Sequence, residues 1–291
     1  MGTRTSAAFP PLLLSLTAGA IAIAQSAPAS STFQLPDSAA FLRLVREAVR
    51  QDDERLTTFT YLEKRRDVRV SMLGKVTVGP ERTFEVFPSR VPGATYKRLI
   101  AVDGKPLTPE ELAKRDAERQ REVTDRAKRE AKESPSERRE RLDESAAELA
   151  EREKTIDDAF AVFEATWVGR ETLEGVPVVV ASLTPRKDAN VSTREGRWMK
   201  HFAGRAWFDE ATHQLAKIDM QARDDISIGW GIVGRIHEKT RIYATRKRIG
   251  EMWMPSEFVI EATGRTLLFR AFEVRLVTNY SDYKQKSTSL H

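Results

Sequence analysis

The sequence predicts an α+β protein. The expected core is a curved antiparallel sheet of about nine to eleven strands, with an N-terminal helix on its concave face and an inserted, charged helical hairpin. Three observations carry this expectation. Apolar residues alternate with polar ones from Thr57 to about Val102, and again over most of Thr166–Tyr283, the period of strands with one wet face. No stretch between Glu164 and His291 reads as a long helix, which argues against a parallel βαβ sheet. Residues 108–164 are nearly all Glu, Lys, Arg, Asp and Ala, a composition suited to helix and poor in core-forming side chains.

The elements follow in order. Arg4 precedes an apolar run from Leu12 to Ala24, and Ala22-Ile23-Ala24 places small residues where a signal peptidase reads them. Residues 1–24 are therefore expected to be a cleaved export signal, followed by a Pro/Ser/Ala-rich leader over 25–36. The alternative is a retained membrane anchor. Asp37 or Ser38 can cap a helix running to about Arg55, with Phe41, Leu44, Val45, Ala48 and Val49 on one apolar face. Strands are expected from Phe59, over Lys75–Phe87 and over Thr95–Val102, with breaks at Gly79-Pro80 and from Pro88 to Gly93. With the first helix these make up residues 37–107.

Thr108-Pro109-Glu110-Glu111 opens the insertion as a capped helix start, and Pro135 after Ser134 divides it into two helices. The first has only Leu112 and Val123 as large apolar residues, so it should be solvated on nearly all sides. In the second, Leu142, Ala146, Leu149, Ile156, Phe160 and Phe163 form a one-sided stripe. Thirteen Lys/Arg against eighteen Asp/Glu give Thr108–Glu164 a net charge of −5, whereas the whole chain carries +5. A basic β body thus bears an acidic arm. The remaining strands fill residues 165–284, punctuated by Gly175, Pro185, Gly196, Gly250 and Gly264, and 285–291 is a tail.

The organising stretch is Gly196–Met220, read as two strands joined by the polar turn Asp209–Gln214. Within it, Gly204-Arg205-Ala206-Trp207-Phe208-Asp209 followed by Gln214-Leu215-Ala216-Lys217-Ile218 is similar to the central hairpin of the outer-membrane lipoprotein-sorting (LolA/LolB-like) proteins. That resemblance implies an unclosed antiparallel half-barrel sheltering acyl chains. It also implies a periplasmic carrier or binding protein for lipidated or otherwise apolar molecules.

Catalytic chemistry finds little purchase. The chain has no cysteine, hence no thiol nucleophile, disulfide framework or lipid-attachment cysteine. No serine sits in G-x-S-x-G, and H-E-x-x-H is absent. His201 and His213, with Asp209 nearby, are within reach of one another across the expected hairpin as a surface metal site, but neither histidine has a metal-ligand spacing; ordinary strand and turn residues are the simpler reading. Asp224-Asp225 reads as a strand end. Gly229-Trp230-Gly231-Ile232-Val233-Gly234 matches G-x-G-x-x-G, yet a β-type pattern follows where a dinucleotide site needs a helix. It reads as an apolar loop, either buried or offered to a membrane or ligand. Lys64-Arg65-Arg66 and Arg246-Lys247-Arg248 lie in strands beside acidic residues, which suits a solvated or headgroup-facing surface better than nucleic acid.

The expectation is an exported, non-catalytic protein without metal or cofactor, holding a lipid or lipidated protein in an apolar cavity, with peripheral membrane contact open to it. Leu44, Val45, Trp167, Trp198, Trp207, Phe208, Trp230, Trp253 and Phe272 are the residues to test as its lining, each of which could instead be plain core. Two alternatives stand beside this one. One is a structural or regulatory envelope protein binding a partner through residues 108–164. The other is an envelope-polymer hydrolase, for which no convincing pair of reactive groups is visible.

Overall fold

The computed structural model describes residues 35–70, 75–228, 234–266 and 270–286. The export signal, the leader up to Gln34, Trp230 with the rest of 229–233, and 287–291 lie outside these.

The first helix, α1 (Ser38–Thr57), begins where Asp37 Oδ1 accepts the Ala40 amide at 2.8 Å, satisfying an N-terminal donor that the helix itself cannot. The strands are β1 (Phe59–Val70), β2 (Val76–Phe87), β3 (Tyr96–Val102), β4 (Lys105–Pro106), β5 (Phe163–Leu173), β6 (Val176–Pro185), β7 (Phe202–Asp209), β8 (Leu215–Ala222), β9 (Ile226–Ile228), β10 (Gly234–Ile236), β11 (Arg241–Ile249), β12 (Met252–Thr266) and β13 (Arg270–Gln285). Three further helices are α2 (Pro109–Lys132), α3 (Pro135–Val162) and the short α4 (Arg194–Met199).

All strand pairs are antiparallel, in the order β4-β3-β2-β1-β13-β12-β11-β8-β7-β6-β5, with β10 beside β12 and β9 beside β10. Among the described residues β4 and β5 do not pair with each other, so the sheet stays open. Thirteen strands exceed the nine to eleven expected from turn spacing. The surplus comes from β4, β9 and β10, of two or three residues each, too short to show a period.

The path explains the inserted arm. β4 and β5 are opposite edges of the sheet, and α2 with α3 is the chain that joins them. Both helices start with a complete capping box, Thr108 with Glu111 and Ser134 with Glu137, and a proline in the first turn. No residue of α2 is buried; Asp116 accepting from Arg98 and Arg119 over the Tyr96 ring tie its first turns to β3. The expected stripe on α3 divides in two. Leu142 and Leu149 are 55% and 43% exposed, whereas Ile156 and Phe160 turn onto the β body. Replacing residues 122–144 with a short Gly/Ser loop should therefore move the thermal midpoint by less than about 4 °C. A larger fall in a melting scan would show that the tip is packed.

Three local expectations are corrected. Gly79-Pro80 does not break β2, because the register of β1 against β2 shifts between Arg66 and Val68. A bulge removes the demand for the amide that proline lacks. Gly264 is likewise inside β12: a Cβ there would lie 2.4 Å from the Arg235 carbonyl oxygen and 2.6 Å from the Phe272 ring, so close approach, and not a turn, requires glycine. Residues Gly196–Met199 belong to α4 instead of the hairpin's first strand. Thr193 caps that helix by accepting the Gly196 amide at 2.9 Å, and Ser/Thr capping overrides the strand-like look of the sequence.

Candidate ligand-binding cleft

α1 has two working faces, and the 100° step of an α-helix separates them. Phe41, Val45 and Ala48 are buried, and Phe41 and Val45 meet Val179, Ala181, Phe202, Ala206, Phe208 and Met220 of the sheet in one apolar cluster. Roughly a quarter-turn round the helix, Ala39, Leu42, Arg46 and Val49 look into a cleft of about 710 Å³, which Val45 also borders. That volume falls within the usual range for small-molecule pockets.

The cleft floor is one face of β5, β6, β7, β8 and β11, contributed by Phe163, Ala165, Leu183, Phe202, Ala206, Phe208, Leu215, Ile218, Met220 and Ile242. The period of two brings all but one of them to one side, and the register shift between Trp207 and Phe208 sets Leu215 opposite Phe208. Its walls are α1, the end of α3 through Thr155, Ile156, Ala159 and Phe160, and α4 through Trp198 and Met199. Charged groups at its border are Arg43, Arg46, Arg186 and Glu195. The surface is otherwise overwhelmingly apolar and suits a hydrocarbon ligand.

Polar joints hold the walls in place. α1 and α3 run antiparallel and are laced by ion pairs: Arg46 and Arg50 with Asp157, Arg50 with Glu153, and Asp53 with Arg152. The Arg46 guanidinium, followed by Arg50, holds the Asp157 carboxyl below its usual range. One residue on, Asp158 is buried, 5% exposed, and secures α4. It accepts from the Thr193 amide at 2.7 Å, the Thr193 hydroxyl at 2.6 Å and the Ser192 amide at 3.0 Å. Gly196 lies so close that a Cβ would stand 2.4 Å from an Asp158 carboxylate oxygen.

Of the residues singled out in the sequence, the structure brings Val45, Trp198 and Phe208 to the cleft. Leu44 is 46% exposed, because it falls on the far side of the Phe41–Val45 line from Leu42 and Val49. Trp207 alternates with Phe208 and so faces the other side of the sheet. There it packs with Val178, Val180, Ala216 and Trp253, its indole N–H donating to Glu171 at 2.8 Å. Trp253 belongs to that same outer cluster, with its N–H on Asp209 at 2.7 Å. Trp167 is on the cleft side of the sheet but fills space beneath α1, edge-on to Phe41 and donating to the Pro36 carbonyl at 2.9 Å. Phe272 lies against Gly264, away from the cleft. Trp230 lies outside the described residues.

Sequence reasoning missed the contribution of α3. Ile156 and Phe160 stood in its apolar stripe at i, i+4, but nothing local said that the end of the arm would return over the sheet. It missed Leu42 as well, hidden beside a stronger stripe. His201 and His213 occupy opposite ends of the eight-residue β7, roughly 25 Å apart at strand rise. His201 Nδ1 is 2.5 Å from Asp224, and His213 packs on Phe41. Among the described residues no cluster of three or more His, Asp or Glu side chains is arranged to hold a metal.

No protein-family model matches this sequence, and no curated protein does either. Similar solved structures exist at low identity. A DUF1329 family protein from Desulfovibrio piger is 12% identical, covering 87% of this chain and 94% of its own, with a TM-score of 0.29. The LolA superfamily protein NE2245 from Nitrosomonas europaea is 8% identical, covering 84% and 93%, with a TM-score of 0.27. MucB, solved in complex with MucA, is 13% identical, covering 85% and 94%, at 0.24. A LolA superfamily member thus stands among the similar structures. Overlaps this loose carry no argument about a ligand, which has to come from the cleft itself.

Proposed function

We propose that this protein is an exported, non-catalytic binder of molecules with a long apolar chain, taken into the cleft between the sheet and α1, α3 and α4. The observation that carries the reading is the cleft itself: about 710 Å³, apolar on floor and walls. Each methylene moved from water to such a surface contributes about 0.8 kcal/mol. Ten of them give a gross ~8 kcal/mol, of the same order as the roughly 4–15 kcal/mol lost in association.

Export rests on the Arg4 to Ala24 signal pattern, and the periplasm is the compartment proposed. No helix among the described residues is long and apolar enough to cross a membrane. Native mass spectrometry of protein gently extracted from the cell envelope should show a bound amphiphile, and delipidated protein should bind a fluorescent long-chain fatty acid saturably. Protein that carries no lipid and gives no saturable titration would end this reading.

A further inference from the structure

The ion pairs between α1 and α3 form a ladder whose last rung lacks a carboxylate. Arg43, Arg46, Arg50 and Asp53 follow one another at three- and four-residue spacing, so they lie along one side of α1. Since α3 runs the other way, Asp53 meets Arg152, Arg50 meets Glu153 and Asp157, and Arg46 meets Asp157. One turn further, opposite Arg43, α3 offers Phe160 and Ala161, whose carbonyls accept from Arg186 at 3.2 and 3.1 Å. The Arg46 guanidinium sits 5.9 Å over the Phe160 ring, which places it beside the same turn.

Arg43 and Arg186 are exposed, both border the cleft, and neither has a carboxylate partner among the described residues. Nearby acids other than Glu195 are committed or turned away. Asp37 caps α1, Glu47 accepts from Gln51, and Glu164 alternates with the cleft-facing Phe163 and Ala165. Glu195 is the one carboxylate on the cleft border. Two guanidinium groups thus border the apolar cleft, one of them, Arg43, at the rung where the ladder would otherwise place an acid.

The geometry points to a ligand with an anionic head: a single-chain amphiphile whose carboxylate or phosphate completes the rung at Arg43 and Arg186. This rests on the apolar-chain reading above and adds the head to it. Guanidinium groups bind such oxyanions with charge-assisted, bidentate hydrogen bonds, strengthened beside a surface that excludes water. The chain supplies binding and the head supplies selection and orientation.

The test compares palmitate, palmitoyl lysophosphatidate and uncharged monopalmitin on delipidated protein, each below its micelle concentration. Both anions should bind at least about ten-fold more tightly than monopalmitin, with an advantage that shrinks as salt rises. Whichever anion binds more tightly assigns the head as carboxylate or phosphate. Arg43→Gln should remove most of the advantage, and Arg43→Glu all of it, without moving the melting midpoint. Arg186→Gln should add to Arg43→Gln. Equal affinity of wild type for charged and uncharged ligands, or full discrimination in Arg43→Glu, overturns the anionic head and leaves the apolar cleft standing. Failure of all three ligands to bind removes both.

Discussion

Replacing Ala159 with tryptophan should abolish uptake of a long-chain fatty acid and leave the denaturant midpoint near that of wild type. Ala159 is half-buried on α3 and borders the cleft between Ile156 and Phe160. An indole grown from that position enters space that a ligand would use, and it buries no charge. Were this region close-packed core, the same change would overpack it and cost about 1–3 kcal/mol. Binding and stability are therefore measured together. Loss of binding at constant midpoint supports a cleft that receives a ligand; undiminished binding, or a collapse in midpoint, contradicts it. Leu44→Trp is the matched control: its side chain lies on the outer side of α1, so neither quantity should move.

Asp158→Ala should destabilise the fold by about 3 kcal/mol, because it strips a buried carboxylate from donors that have no other partner. Those donors are the amides and hydroxyls of Ser192 and Thr193, and they hold α4 against α3. Burial by itself would raise the Asp158 pKa; the Thr193 and Ser192 bonds outweigh it and keep the carboxyl below its ordinary value. With the folded pKa depressed, the stabilisation is complete above the unfolded value, about 3.9. It drains away as pH falls through the lower folded value. The gap in stability between wild type and Asp158→Ala should consequently narrow on acidification and vanish in strong acid. A gap that stays constant from neutral pH down to pH 2 would show that the carboxylate is not the stabilising species. Gly196→Ala should weaken the same joint by steric conflict with Asp158, and that effect should persist at low pH.

Both predictions depend on α3, and α3 shows where local reading stops. Its composition and its stripe of Leu142, Leu149, Ile156 and Phe160 were plain in the sequence, as were Ser134-Pro135 at its start. Local spacing could not tell that the first two leucines would stay in solvent while Ile156 and Phe160 closed a cleft. That depends on the chain having to pass from edge strand β4 to edge strand β5, a fact about sheet order.

The tryptophans make the same point. Trp207 and Phe208 are adjacent in a strand, so the period of two already assigned them to opposite faces, but not which face would be roofed by α1. Trp167 and Trp198 are both on the cleft side, one consumed as packing under Phe41 and the other left on the wall. The difference lies in the element that carries each, β5 beneath α1 for Trp167 and α4 for Trp198.

By itself, then, the sequence determined the antiparallel sheet, the capped first helix, the two-helix insertion and the absence of familiar catalytic motifs. These follow from side-chain period, caps and turn residues, interactions that reach no further than a few positions along the chain. Tertiary structure alone decided that β1 would pair with β13, that α3 would lace to α1 through Asp157, and that Leu42 would line the cleft while Leu44 faced solvent. Those outcomes are set by contacts between residues as far apart as Arg46 and Asp157, whose partners no local pattern specifies.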